Sequence, residues 1–141
     1  MRLWHKDLIP VLPRQQLLSQ WRECCAIARN IAVKGTPNHL LVNKVLEYPV
    51  KHFSAYIDLI RMEMHKRGYK LNRNPYINLI ENLNIASVFF KDEKTDCNTV
   101  IFDGWHNDRY LRQCYYNLQE KYDCGGISEE EWQKIRQAVV I

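Results

Sequence analysis

Apolar residues recur with a helical period in the first part of the chain. Between residues 14 and 34 they fall on one predicted helical face: Leu17, Trp21, Cys24, Cys25, Ala28 and Ile31. Pro13 suits the start of a helix because the missing N–H of a proline has no helical partner there, and Gly35 suits its end. The pattern predicts a first long helix over residues 14–34, preceded by an arm or short turn over residues 1–12.

A second long helix is predicted from about Pro49 to Arg67, with an apolar stripe formed by Val50, Phe53, Ile57, Ile60 and Met64. Gly68 follows as a C-terminal cap. Shorter helices are predicted over 38–47 (apolar side Leu40, Leu41, Val45 and Leu46), 75–84, 107–123 and from Ser128 onward. At the last of these, Ser128 and Glu131 have the spacing of a capping box.

Residues 87–104 are open to two interpretations. Ser87–Phe90 and Thr99–Phe102 have the composition of short strands around a charged turn, but the same residues are compatible with irregular structure. Taken together, the elements predict a mainly α protein with four to five helices in one compact domain.

The composition, with 46% hydrophobic and 26% charged residues in 141, is that of an ordinary globular protein. This length suits a single domain, residues 1–141. The start of the chain lacks the apolar segment of a secretory signal, and no stretch reaches a membrane span, so we expect a cytoplasmic protein without membrane contact. The five cysteines are odd in number and include no C-x-x-C pair, which disfavours a disulfide framework and a metal site.

Charge is unevenly divided along the chain. Residues 1–75 hold 13 Lys and Arg against 5 Asp and Glu, whereas residues 76–141 hold 7 against 11. A basic first half favours contact with a polyanion. Without other evidence, the uneven charge is explained slightly better by a solvated surface on which lysines are unevenly distributed along the chain.

The polar side of the first predicted helix combines cations and an acid: Ser19, Arg22, Glu23, Ala26, Arg29 and Asn30. Arginines two turns apart suit phosphate binding, because the guanidinium group is bidentate and always charged. A carboxylate facing a polyanion weakens binding, and general acid–base chemistry is one reason to keep it. From the pattern alone, a solvated surface with an Arg–Glu ion pair is the favoured interpretation.

The run Gln16 to Glu23 resembles the first helix of the bacteriophage endonuclease V-type pyrimidine dimer DNA glycosylases. That family has a leucine, an aromatic residue and then Arg-Glu at nearly the same distance from its start, and Met1-Arg2-Leu3 fits the family's first residues. The similarity continues through the predicted second helix to its ending Lys66-Arg67-Gly68-Tyr69.

The resemblance implies a DNA repair enzyme that joins glycosylase and abasic-site lyase activities and uses no cofactor. The nucleophile would be the N-terminal α-amine on Met1, which attacks C1′ to form an imine (a Schiff base), and Glu23 would assist before β-elimination cleaves the strand. An α-amine suits this chemistry because amines of this class are partly neutral at physiological pH. The implied partner is duplex DNA with damaged or abasic sites, bound by a monomer.

Site residues follow from the resemblance and its surroundings. DNA contacts are expected from Arg2, Arg22, Arg29, Gln16 and Lys34, and a neighbouring pocket from His5, Asn38, His39 and Asn43. The family removes its initiator methionine, but the large Arg2 disfavours that removal, which leaves the amine on Met1 itself. Gln16 stands where the family has a histidine, and Arg29 substitutes for a family arginine that is missing after Glu23.

Several histidines and aromatic residues have alternative roles. His52 and His65 are expected at the surface of the second long helix. Trp105, Tyr110, Tyr115 and Tyr116, with Arg109, Arg112 and Lys121, could supply the stacking and charge of the family's C-terminal tail, or simply form core.

Two other functions remain open. A noncatalytic helical module that retains the fold would bind nucleic acid without turnover. A protein-interaction domain would instead use the acidic half of the chain.

Overall fold

Five α-helices and four short 3-10 helices form the regular structure of residues 1–140, which the computed structural model describes except for the side chain of Thr95. The α-helices are α1 (Arg14–Lys34), α2 (Val50–Lys66), α3 (Arg73–Ala86), α4 (Asp108–Asp123) and α5 (Glu129–Ala138). The 3-10 helices are Lys6–Val11, Asn43–Glu47, Ser87–Phe89 and Glu93–Thr95. This part of the chain contains no β-strand, so the mainly α prediction is confirmed.

Helix α1 has the bounds that its apolar pattern predicts. It begins directly after Pro13 and ends at Gly35, whose φ of 78° is the left-handed conformation that glycine adopts without strain. Its buried side includes Leu17, Trp21, Cys24, Ile27, Ala28 and Ile31, together with the polar residue Gln20.

Helix α2 also matches its prediction, and Gly68 closes it. The Gly68 N–H donates to the His65 carbonyl and the Tyr69 N–H to the Met64 carbonyl, each at 3.0 Å, which is the Schellman arrangement. The adjoining Arg67 side chain donates to the Leu12 carbonyl at 2.8 Å. The end of α2 is therefore held against the start of α1.

One core joins the helices. Helix α1 packs against α2 and α3, the first 3-10 helix packs against α2 and α5, and α4 packs against α5. The arm preceding α1 contributes fully buried side chains to this core, among them Leu3, Leu8 and Leu12. The first residues of the chain are thus part of the packed fold.

The predicted helix over 38–47 is wrong in its first half. Only Asn43–Glu47 is helical, and Leu40 and Leu41, expected on the apolar side, are 90% and 50% exposed. The Asn43 side chain accepts a hydrogen bond from the His39 N–H at 3.0 Å, which favours a turn over a helix.

Helix α3 is longer than the predicted 75–84. Pro75 lies in the first turn of α3, where a missing N–H removes no helical hydrogen bond, so the helix begins before it.

Residues 87–104 follow the irregular alternative. The Tyr48 hydroxyl donates to the Asp103 carbonyl at 2.6 Å, and the Phe102 N–H donates to His52 Nδ1 at 3.0 Å.

The expectation that His52 lies at the surface is wrong, since this residue is 3% exposed. It shares the buried side of α2 with Tyr56 and Ile60 because these residues are spaced by one helical turn.

The last two helices begin at side-chain caps. The Asn107 side chain accepts from the Tyr110 N–H at the start of α4. Ser128 and Glu131 form the predicted capping box of α5, whose buried residues are Trp132 and Ile135.

Candidate active site at the N-terminal arm

The first four residues lie in an extended arm that is bound by the side chain of Gln20. The Trp4 N–H donates to Gln20 Oε1 at 2.7 Å, and Gln20 Nε2 donates to the Arg2 carbonyl at 3.0 Å. Gln20 has no exposed surface, so these bonds are shielded from water. An unmade bond here would cost about 1–3 kcal/mol, which restricts the arm to one path across α1.

Two tyrosines complete the contacts of the arm. The hydroxyl of Tyr56, on α2, lies 2.6 Å from the Trp4 carbonyl oxygen and 3.0 Å from Gln20 Oε1. The hydroxyl of Tyr110, on α4, donates to the Leu3 carbonyl at 2.6 Å. Side chains from α1, α2 and α4 therefore fix the peptide groups just after Met1.

Glu23 lies where the bound arm begins. Gln20 Nε2 donates to Glu23 Oε2 at 3.2 Å, and the same nitrogen holds the Arg2 carbonyl. Burial raises the pKa of Glu23, while the charge of the N-terminal amine, a hydrogen bond from the Arg2 backbone, and then His39 and Arg22 act to lower it. The charge of the Met1 amine thus acts on the half-buried Glu23 carboxylate, although no salt bridge joins the two among residues 1–140.

Arg2 extends from this site toward α4. Its guanidinium lies 5.3 Å from the ring centroid of Trp4, and Nη1 is 3.8 Å from the Cys114 sulfur. Burial raises the pKa of the Cys114 thiol, so this contact is between a cation and a neutral thiol.

The outer side of α1 carries the predicted arginines. Arg22 and Arg29 are exposed, and Arg22 Nη2 lies 3.4 Å from the Ser19 hydroxyl oxygen. Among residues 1–140, no salt bridge joins Arg22 to Glu23, so the ion pair expected for a merely solvated surface is not found. Of the other expected DNA contacts, Lys34 is exposed, whereas Gln16 is half-buried with its Oε1 unpaired.

Three of the four predicted pocket residues lie together after α1, with Asn38 and His39 in the loop and Asn43 at the start of the next 3-10 helix. Asn43 holds the His39 backbone, Asn38 adopts a left-handed φ of 55°, and the charge of His39 acts on Glu23. His5 lies elsewhere, in the core. It is 2% exposed, its ring stacks on His106 at 5.2 Å between centroids, and its Nδ1 accepts from the Asp7 N–H.

The side chains that place the arm were missed by sequence reasoning. Gln20 gave one signal, because it is a polar residue on the otherwise apolar stripe of α1. No such indication was present for Tyr56, Tyr110 and His106, because their partners are far away in sequence.

His106 holds the end of the arm. Its Nδ1 accepts from the Lys6 N–H at 3.0 Å, and burial, then His5 and Lys6, lower the pKa of His106 to about 2.

A cleft of about 280 Å³ opens beside the arm. Its walls are the loop residues Leu40, Leu41 and Lys44 on one side and Gly104, Trp105, Asn107, Arg109, Tyr110 and Gln113 on the other. Tyr110 both lines this cleft and binds the Leu3 carbonyl, so the cleft and the arm share a wall.

Within residues 1–140, no group of three or more histidine, cysteine or acidic side chains is arranged to hold a metal ion. None of the helices described here is long and apolar enough to cross a membrane. All five cysteines are free.

A protein-family model described as pyrimidine dimer DNA glycosylase matches residues 1–76, which is more than half of the chain. No curated protein and no solved structure gives a significant match. The matched region contains the arm, α1 and α2, and therefore Met1, Gln20, Glu23 and Tyr56.

Proposed function

Since the chain belongs to the pyrimidine dimer DNA glycosylase family, we propose that it cleaves DNA at damaged or abasic sites with the α-amine of Met1 as nucleophile and Glu23 as its acid–base partner. The observation that carries this proposal is that Gln20 binds both the Glu23 carboxylate and the arm that bears the Met1 amine. The charge of that amine also acts to lower the pKa of Glu23. Fixed peptide groups directly after the amine suit nucleophilic catalysis because they restrict where the amine lies before substrate binds.

In the proposed reaction, the neutral amine attacks C1′ of the damaged nucleotide and the bond from C1′ to the base breaks. At an abasic site, the amine instead condenses with the C1′ aldehyde and releases water. In the first route the base leaves with a proton, and the C1′–O4′ bond of the sugar ring then opens as the amine nitrogen loses a proton and O4′ gains one. Both routes therefore give an imine between Met1 and the sugar. Removal of a proton from C2′ then breaks the bond between C3′ and its oxygen, and water releases the sugar from the amine.

Glu23 is suited to the proton transfers of this sequence. Burial raises the pKa of Glu23, which makes the carboxylate a better proton acceptor than an exposed one. Gln20 Nε2 donates to one carboxylate oxygen and thereby restricts the orientation of the group.

Arg2, Arg22 and Arg29 are proposed to bind the phosphates around the lesion. Arg22 and Arg29 are exposed on the same side of α1 as Glu23. Arg2 leads from the arm to α4, where it contacts Cys114. The cleft at Trp105 and Tyr110 adds a partly aromatic surface beside the arm, where distorted DNA could be accommodated.

Borohydride trapping tests the proposal. A duplex with one abasic site is incubated with protein that starts at Met1 and carries any tag at its C-terminus, and the reduced adduct is mapped by mass spectrometry. We expect a covalent adduct on the Met1 nitrogen. An adduct on a lysine would overturn the assignment to Met1.

Two variants refine this test. Glu23→Gln preserves side-chain size and should strongly reduce cleavage while retaining DNA binding, whereas Glu47→Gln, an exposed acid elsewhere, should change neither. An N-terminal extension should abolish trapping. Salt-sensitive DNA binding without any adduct in the unmodified protein would instead identify a noncatalytic binding module.

A further inference from the structure

A second basic surface lies away from the Met1–Glu23 site. It is a groove of about 940 Å³ between the C-terminal half of α2 and the start of α3. We call it the 61–73 groove; its walls are Asp58, Arg61, Met62, His65, Lys66, Tyr69, Lys70, Leu71, Asn72 and Arg73.

The walls of the 61–73 groove carry an excess of positive charge. Its one acid, Asp58, pairs with Arg61 at 3.7 Å. Lys66, Lys70 and Arg73 are exposed and form no salt bridge with any residue of the described chain. Their mutual repulsion is uncompensated in the free protein, and a bound polyanion would relieve it.

Arg61 is held by an aromatic ring. Its guanidinium carbon lies 3.8 Å from the ring centroid of Tyr76, and its Nε is buried without a hydrogen-bond partner. A second arginine, Arg14, lies over Tyr69 at 5.4 Å. These stacked arginines cover ring faces that nucleobases would otherwise use, so the groove presents cations for phosphates and offers little surface for base stacking.

The lining also argues against a small organic ligand. Small-molecule sites are mostly apolar with a few placed polar groups. Here the four long cations Arg61, Lys66, Lys70 and Arg73 outnumber the apolar and aromatic side chains of Met62, Tyr69 and Leu71, and Asp58, His65 and Asn72 complete the wall. This excess of cations is typical of contact with a nucleic-acid backbone.

The 61–73 groove and Glu23 lie on different sides of α1. Arg14, which contacts Tyr69 of the groove, is nine residues before Glu23, about two and a half helical turns and about 13 Å along the axis. A half-integral number of turns places the two residues on opposite sides of the helix. The groove therefore adjoins α1 on the side away from Glu23.

We propose that the 61–73 groove binds the phosphate backbone of a second DNA segment while the first lies at the Met1–Glu23 site. DNA is the chosen occupant because the chain belongs to a DNA glycosylase family. The inference depends on that membership and not on the proposed amine chemistry. Such a protein would hold two DNA segments together and could pass from one to the other without release.

The test is a stoichiometric titration with undamaged duplexes of one helical turn, about 10 base pairs, at low salt. The wild-type protein should bind two duplexes per chain. The Lys70→Ala/Arg73→Ala variant should bind one duplex per chain. The slope of log affinity against log salt concentration should become shallower by about 0.9 for each phosphate that the groove no longer binds. The matched control, Lys91→Ala/Arg136→Ala, removes the same charge from exposed positions in the acidic half and should still bind two.

The outcomes separate this inference from the proposed activity. Saturation of the wild-type protein at one duplex per chain overturns the second site, whatever the trapping result. Equal titration of the groove variant and the control overturns it as well. Retained borohydride trapping in Lys70→Ala/Arg73→Ala is expected, because the groove lies away from the amine.

Discussion

The side-chain amide of Gln20 lies 3.2 Å from the carboxylate of Glu23. The same nitrogen holds the Arg2 carbonyl, and the amide oxygen holds the Trp4 N–H. One fully buried side chain therefore connects the acid to the arm that bears the amine. Gln20 is a positioning residue in this arrangement, because it acts through the groups on either side of it.

Gln20→Leu should impair the reaction more than DNA binding. Leucine preserves the bulk but leaves the Trp4 N–H and Arg2 carbonyl unpaired, which should lower the free energy of unfolding by about 1–3 kcal/mol. Misplacement of the amine should slow borohydride trapping by up to about 100-fold. Trapping is measured under single-turnover conditions at a temperature where circular dichroism shows the variant folded.

The matched control for this variant is Gln15→Leu, at an exposed position of the same helix. It should leave both trapping and unfolding unchanged. A Gln20→Leu protein that is less stable but traps at the wild-type rate would show that Gln20 only supports the fold.

Tyr110→Phe should loosen the arm without disturbing the aromatic cluster around it. Burial raises the pKa of Tyr110, so its hydroxyl stays protonated and donates to the Leu3 carbonyl at 2.6 Å. Loss of this bond should lower the free energy of unfolding by about 0.5–1.5 kcal/mol and slow trapping. Tyr116→Phe on the exposed side of α4 is the control, and equal trapping rates in the two variants would exclude a role for the Leu3 contact.

The helices that carry the site could be predicted because their signals are local. Apolar spacing and Gly35 set the bounds of α1. Gly68 closes α2 through hydrogen bonds between residues that are only three to five positions apart in sequence. The resemblance then directed attention to Met1 and Glu23.

The contacts that assemble the site could not be predicted in this way. Tyr110 reaches Leu3 across more than a hundred residues, and His52 binds the Phe102 N–H across a segment with no periodic pattern. His52 looked like a surface residue because a polar side chain is usually placed outside. Its backbone partner, which makes burial favourable, becomes visible only in the folded chain.

Arg22→Ala and Arg29→Ala should each weaken DNA binding in a salt-dependent manner. Both side chains are exposed beside Glu23, where phosphates of the bound strand are expected. Each phosphate that a variant no longer binds should reduce the slope of log affinity against log salt concentration by about 0.9. Fluorescence anisotropy over a salt series measures this slope. Arg136→Ala, in the acidic half, should leave it unchanged, and an unchanged slope in both α1 variants would exclude them as phosphate contacts.

The stability of the protein should fall in mild acid because of His106. Burial, then the charges of His5 and Lys6, lower the pKa of His106 to about 2 from an ordinary value of 6.5. The unfolded chain binds a proton at His106 below about pH 6.5, whereas the folded chain does not bind one until about pH 2. Protonation therefore favours the unfolded chain, and the stability that is present above pH 6.5 is lost as the pH falls. Between pH 7 and pH 5 this histidine alone should lower the free energy of unfolding by about 2 kcal/mol.

Urea unfolding at the two pH values measures the loss, and His106→Asn isolates its source. Asparagine retains an oxygen near the place of Nδ1 for the Lys6 N–H but does not titrate. The variant should be less stable than wild type at pH 7, yet it should lose about 2 kcal/mol less on acidification. The control His65→Asn, at an exposed position, should keep the wild-type pH dependence. Equal losses of stability by His106→Asn and wild type between pH 7 and pH 5 would show that the acid sensitivity comes from other groups. Buried His5 and His52 are then the first candidates, because burial also lowers their pKa values.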